Sequence, residues 1–260
     1  MDWDISVTKK GKSPGQIAKS LIGKTDLVAV YGGDGCVTSV AAALHGTKLP
    51  IAIIPAGTAN VMAKELAIPT GTVAALQILQ KGKHKIKAVD VGLVNGKPFI
   101  LRINLGIMAN MVIEAGRTLK DNIGQLAYGV SAVKTVAEAE PINYRLNIDG
   151  KKIAVSGVAL TVTNSGRIGI GDFDLQPGIS ITDGLLDVIL MQNNDLLSVI
   201  KVASSALLQN ESAVLQHWTG KKITITMDKK QSFIRDDKEV IAKKLKIEVV
   251  PRSVKFIVPC

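Results

Sequence analysis

Aromatic residues are scarce in this chain, with four Phe, three Tyr and two Trp scattered through 260 residues. A groove for single-stranded nucleic acid stacks bases on aromatic side chains interleaved with cations. That partner is therefore set aside, in spite of a net charge of +10. Cysteine is nearly absent as well. Cys36 and Cys260 form neither a disulfide framework nor the clustered spacing of a zinc site, a usage that fits a reducing cytosol. His45, His84 and His217 share no ligand spacing. No stretch approaches the roughly 18 consecutive apolar residues of a spanning helix, and the first 25 residues show no leader pattern. What remains is a globular composition, 47% hydrophobic and 21% charged. Its basic surface suits polyphosphates or an anionic membrane face. The expectation is a cytoplasmic protein with peripheral contact at the inner face of the membrane.

The first third alternates strand and helix patterns. "WDISV" reads as a short strand, and "SPGQIAKSLIG" as a helix with Ser13 as N-cap and Pro14 at its first position. "TDLVAVYG" and "LPIAIIPAG" are continuous apolar runs, the mark of strands buried on both faces. Helix patterns follow each of them: "CVTSVAAALHG", then "ANVMAKELAI" and "GTVAALQILQKG". This order predicts a parallel sheet with crossover helices.

Beyond about residue 86 short strands dominate, with hairpin turns at Asn95-Gly96 and Asp149-Gly150. Further strands read as "VALTVTNSG", "GLLDVILM", "KITITM", "KLKIEVVP" and "SVKFIVP". Helices are predicted over 121–139, with Leu126, Val130 and Val133 on one face, and around 196–215. The division expected is an α/β nucleotide-binding domain over 1–86 and a mainly antiparallel β-sandwich over 87–260, its last strand returning to the first domain.

"VYGGDGCVTSVAAALHG", residues 30–46, places glycines and one aspartate where a buried strand meets a helix. Backbone N–H groups and a positive dipole there bind phosphates, and glycine lets the backbone come close. The stretch is no Walker loop, lacking Gly-Lys-Ser/Thr, and no dinucleotide fingerprint, since Thr38 stands at the third glycine. Asp34 beside phosphates implies a cation or a hydroxyl donor; capping of the next helix explains it equally well. A second strand–turn–helix unit, "IAIIPAGTANVMAKELAIP", offers Thr58 and Asn60 at a helix start. Two such turns on adjacent strands would share one crevice.

GGDG followed by P-x-G-T-A-N resembles the lipid kinase family of diacylglycerol and sphingosine kinases, especially its bacterial branch. "VTKKG" (7–11), "KDNIGQLAY" (120–128), "TNSGRIGIGDFDLQPGISITDGLLDV" (163–188) and "DDKEVIAKKLKIEVVP" (236–251) extend the likeness over nearly the whole chain. It implies an NAD kinase-like α/β domain with a β-sandwich, transferring the γ-phosphate of ATP to a lipid hydroxyl with Mg²⁺. It also implies that Gly32, Gly33, Asp34 and Gly35 line the triphosphate, with Thr8, Thr58 and Asn60 on the nucleotide. The catalytic carboxylate is expected in "RDDKEV". One alignment gives Asp237 and Glu239; the other gives Asp236, with Lys238 at the glutamate position. A structural Mg²⁺ or Ca²⁺ is implied at Asp183 with main-chain oxygens of Ser180 and Leu185; a plain Asp-Gly turn is the alternative.

The pattern departs in places. The family starts with a further strand and a loop covering the nucleotide, and here the likeness begins after it, so one wall of the site is expected to be missing. Cys36 and Val61 stand at positions where the family has threonine and aspartate. Two other functions therefore stay open: a non-catalytic lipid- or nucleotide-binding relative, and an NAD kinase. Homodimerisation is compatible with the family. The basic clusters "KGKHKIK" (81–87) and "KKLK" (243–246) read as solvated faces or as a membrane-surface patch.

Overall fold

The computed structural model describes residues 2–80, 82, 84–107, 109, 140–167, 177–192 and 215–260. The predicted helix over 121–139 lies outside them, as does that around 196–215 except for Leu215, which opens a strand.

The α/β part follows its apolar patterns closely. Helix α1 (Pro14–Ser20) carries a complete capping box between Ser13 and Gln16. Strand β1 (Val28–Gly32) runs parallel to β2 (Ile51–Pro55), whose every residue is buried. Helix α2 (Asp34–Leu44) crosses between them, and α3 (Val61–Glu65) and α4 (Thr72–Gln80) follow β2. Val30, Val40, Leu44, Ile51, Ile53 and Met62 share one core with Phe256 from the far end of the chain.

The sandwich part is antiparallel. Strands β3 (His84–Val94) and β4 (Lys97–Phe99) form the Asn95-Gly96 hairpin, both turn residues at positive φ. After β5 (Arg102–Gly106), strands β6 (Ile142–Ile148) and β7 (Lys151–Gly157) form the Asp149-Gly150 hairpin. Then come β8 (Ala159–Thr163), β9 (Leu186–Met191), β10 (Leu215–Gly220), β11 (Lys222–Arg235) and β12 (Lys238–Pro259). Phe99, Leu105, Tyr144, Leu160, Leu190 and Phe233 fill the second core.

Among the described residues the strands join one sheet in the order β1-β2-β12-β11-β5-β8-β9-β10, with β3 also on β12 and β6 on β11. Strand β12 connects the two parts. It pairs with β11 over its first half, with β3 over its second, and with β2 in parallel at Phe256–Ile51.

Two local readings differ from the sequence expectation. "WDISV" is not a strand. Trp3, Ile5 and Val7 alternate as a strand would but are 52%, 88% and 70% exposed, because no neighbouring strand takes their backbone groups. "KLKIEVVP" and "SVKFIVP" are one strand, not two. The chain absorbs Pro251 at a break in the β3 register between Val250 and Val254, with Arg252 at φ 51. A ladder irregularity is where a residue without an N–H is tolerated.

Candidate active site

Two turns at the carboxyl ends of β1 and β2 meet backbone to backbone. A Cβ on Gly57 would stand 2.5 Å from the Gly33 Cα, so neither position admits a side chain without displacement. Gly33 caps α2 without any side-chain acceptor. The Cys36 N–H turns back on the Gly33 carbonyl at 3.0 Å, which leaves the Asp34 and Gly35 N–H groups of the first turn without a partner among the described residues. The 57–60 turn closes on itself. Asn60, at φ 48, accepts from the Gly57 N–H at 2.9 Å and donates back to the Gly57 carbonyl at 2.8 Å. Asp34 ties the turns together, its Oδ1 accepting the Met62 N–H at 3.1 Å. Thr58 is exposed on the rim. Thr8 is exposed ahead of α1, and no hydrogen bond among the described residues ties it to either turn.

The third side of the crevice is the β11–β12 hairpin turn. Its two aspartates have opposite surroundings. Asp236, at φ 51, turns inward, and its carboxylate accepts the N–H groups of Ile100, Leu101 and Arg102 at 2.9, 2.8 and 3.1 Å. Burial pushes its carboxyl up to about 6, against the pull of those three hydrogen bonds. Asp237 turns outward, its Oδ2 3.2 Å from where a Cβ on Gly35 would be. Its carboxylate therefore lies against the first turn of α2. Glu239, two residues on, is exposed and accepts from Ser232 Oγ at 2.7 Å.

Behind the turns lies a charged layer that sequence reasoning missed. The Glu65 Oε2 atom, at the end of α3, accepts from Ser165 Oγ at 2.6 Å and from the Arg167 N–H at 3.2 Å. Arg102, on β5, donates through Nη2 to the Arg167 carbonyl. Burial lowers the Arg102 guanidinium from its ordinary value, while Asp236, Glu65 and Asp34 hold its charge in place. The signal was present as a single arginine inside the apolar run "PFILRINLG". A charge in a strand that is otherwise buried needs a partner.

The Asp183 turn lies elsewhere. Asp183 is exposed, its Oδ1 accepting the Leu185 N–H at 2.9 Å, and Ser180 Oγ lies 3.2 Å from Thr182 Oγ1. Buried Asp90 anchors this turn, accepting from Gly184 N–H at 2.6 Å and Arg252 N–H at 2.7 Å. Among the described residues no group of three or more His, Cys, Asp or Glu gathers as a metal cluster. Nor is any helix among them long and apolar enough to cross a membrane.

Comparison with known proteins agrees with the two-part fold. The diacylglycerol kinase catalytic domain profile matches residues 1–94, and the YegS C-terminal NAD kinase beta sandwich-like domain profile matches residues 102–258. An uncharacterised protein from Synechocystis sp. is 30% identical over 98% of this chain and 61% of its own length. The diacylglycerol kinase of Bacillus subtilis is 30% identical over 70% of this chain and 60% of its own. A solved structure of a candidate diacylglycerol kinase from Bacillus anthracis superposes with a TM-score of 0.80 at 25% identity, covering 96% of this chain and 84% of that one. This chain belongs to the bacterial diacylglycerol kinase and YegS-like family of lipid kinases. It spans about three-fifths of the length of those two curated relatives.

Proposed function

We propose that the chain binds ATP with Mg²⁺ between the 32–36 and 56–60 turns and transfers the γ-phosphate to a lipid hydroxyl of the diacylglycerol type. The observation that carries this reading is the Asp237 carboxylate at the first turn of α2, 3.2 Å from the Cβ position of Gly35. A helix N-terminus receives phosphates, and phosphoryl transfer needs an acceptor for the hydroxyl proton nearby. The backbone of Gly32, Gly33 and Gly35 cradles the phosphates, and Thr8, Thr58 and Asn60 contact the nucleotide. The lipid oxygen attacks the γ-phosphorus, the bond to the β–γ bridging oxygen breaks, ADP leaves, and the hydroxyl proton passes to Asp237. Asp236 fixes the turn, and Glu239 steadies the strand through Ser232.

Asp34 suits Mg²⁺, which is held by one or two carboxylates together with substrate phosphates and water. When bound, the ion neutralises charge developing on the phosphate oxygens. At the Asp183 turn, one carboxylate with the Ser180 and Leu185 carbonyls suits a structural Mg²⁺ or Ca²⁺.

Calorimetric titration of wild type and Asp34→Ala with ATP and Mg²⁺, followed by labelled-phosphate transfer to diacylglycerol in mixed micelles, tests the reading. Binding lost in Asp34→Ala, with product formed by the wild type, is the expected result. No binding by either protein sinks the nucleotide site. Binding without transfer to any lipid hydroxyl favours a non-catalytic relative.

A further inference from the structure

We propose that the outer face of the sheet β12–β11–β6–β7 is a docking surface for an anionic lipid bilayer. Strand register defines the face. Lys244, Thr226, Arg145 and Ala154 stand opposite one another across the four strands, and Lys246, Thr224, Asn147 and Lys152 form the next row. Lys222 lies opposite Glu248 beyond them. The alternate residues Leu245, Ile247, Ile223, Ile225, Leu146 and Ile148 are buried in the sandwich core, so the period of two leaves the polar set outward. Five cations, Arg145, Lys152, Lys222, Lys244 and Lys246, face two carboxylates, Glu248 and the Asp228 that pairs with Arg145 at 2.9 Å.

The occupant follows from charge, shape and composition. Threonine, asparagine and alanine between the cations leave short side chains across four strands, a span of roughly 14 Å. No aromatic side chain stands in these rows for bases to stack on. Where the face meets the Asp183 turn, a cleft of about 560 Å³ is lined by three cations, Lys221, Lys222 and Arg252, and two carboxylates, Asp183 and Glu248, room for one phosphate headgroup. The face also leads to the proposed chemistry. Ile241, 67% exposed, points outward from β12 between Lys244 and the 236–237 turn, an apolar contact for the bilayer about 20 Å or less from Asp237. The docking rests on the lipid-kinase reading only for its purpose, since vesicle binding requires neither ATP nor turnover.

Co-sedimentation tests it with vesicles of phosphatidylcholine alone and with about one-third phosphatidylglycerol. The full chain is compared with Lys222→Glu/Lys244→Glu/Lys246→Glu. Lys9→Glu/Lys10→Glu/Lys12→Glu, three exposed lysines ahead of α1, makes the same change in net charge elsewhere. Each membrane-facing lysine strengthens partitioning roughly fivefold, so the face variant is expected to bind anionic vesicles at least 100-fold more weakly, roughly. The control should lose less than about threefold, and wild-type binding should fall steeply as salt rises. Equal loss in both variants overturns the proposal, as does equal binding to phosphatidylcholine alone. Displacement by soluble glycerol phosphate assigns the cleft to a free phosphate, and RNA binding without vesicle binding assigns the face to nucleic acid; either result overturns it. Loss of vesicle binding with ATP binding intact would leave the kinase reading standing.

Discussion

The turn at Gly32–Cys36 and the turn at Asp236–Asp237 close on one crevice from opposite sides, yet their construction differs. The first works through backbone. Its glycines let Gly33 and Gly57 meet with no side chain between them, and its N–H groups are what a phosphate would meet. The second works through side chains. One aspartate is spent on three backbone N–H groups of 100–102, and its neighbour is thereby aimed at Gly35. Phosphate cradling needs many weak donors at fixed spacing, which backbone supplies. Proton acceptance needs one group at one place, which a braced side chain supplies.

The sharpest way to break this comparison is to exchange the roles of the two aspartates. Asp237→Asn keeps shape and removes the proton acceptor. Phosphate transfer is expected to fall about 100-fold or more, with ATP affinity and Tm nearly unchanged because the side chain is exposed. Steady-state kinetics beside a thermal melt decide it. A variant that keeps its turnover would remove Asp237 from the chemistry.

Asp236→Ala should do the reverse, leaving the N–H groups of Ile100, Leu101 and Arg102 without their acceptor. A loss of about 3 kcal/mol is expected, which lowers Tm by roughly 6–12 °C in a chain of this size. The ionisation adds a second handle. Folding raises this carboxyl to about 6 from 3.8. Its contribution is therefore fully present below pH ~4 and is lost as pH rises through ~6. Wild-type stability should decline across that window by up to about 3 kcal/mol relative to Asp236→Asn. Parallel melts from pH 4 to 8 would show the two curves diverging, and parallel curves would refute the buried carboxyl.

Much of this architecture was legible because it is local. Unbroken apolar runs ending in Gly or Pro marked β1 and β2, and Asn-Gly and Asp-Gly marked two hairpins. GGDG and P-x-G-T-A-N were readable as a pair because both turns end adjacent parallel strands. The acidic motif was not. Two alignments of "RDDKEV" differ by one residue, and only a contact across 136 positions, from Asp236 to the Ile100 N–H, shows which aspartate faces inward. Alternation misled at Trp3, Ile5 and Val7, since a strand pattern needs a neighbouring strand to become one. Strand β12 misled the other way, because Pro251 reads as a stop wherever no ladder irregularity is in view.

The smallest expected effect lies in the layer behind the turns. Glu65 joins α3 to the segment after β8 through Ser165 and Arg167, and it is one of three carboxylates that hold the charge on Arg102. Glu65→Gln keeps an oxygen for the Ser165 hydroxyl and removes the charge. If the layer only packs, stability alone should drop, by about 1 kcal/mol. If it also braces the crevice, the Arg102 guanidinium, with one counter-charge fewer, should draw more strongly on Asp34 and Asp236. Asp34 also holds the Met62 N–H, so the two turns would loosen, and ATP affinity should weaken severalfold while Asp237 keeps its place. Calorimetry on Glu65→Gln against Ser165→Ala separates the cases. Weakened ATP binding in the first and not in the second identifies the charge as the brace, and equal affinities in both confine the layer to packing.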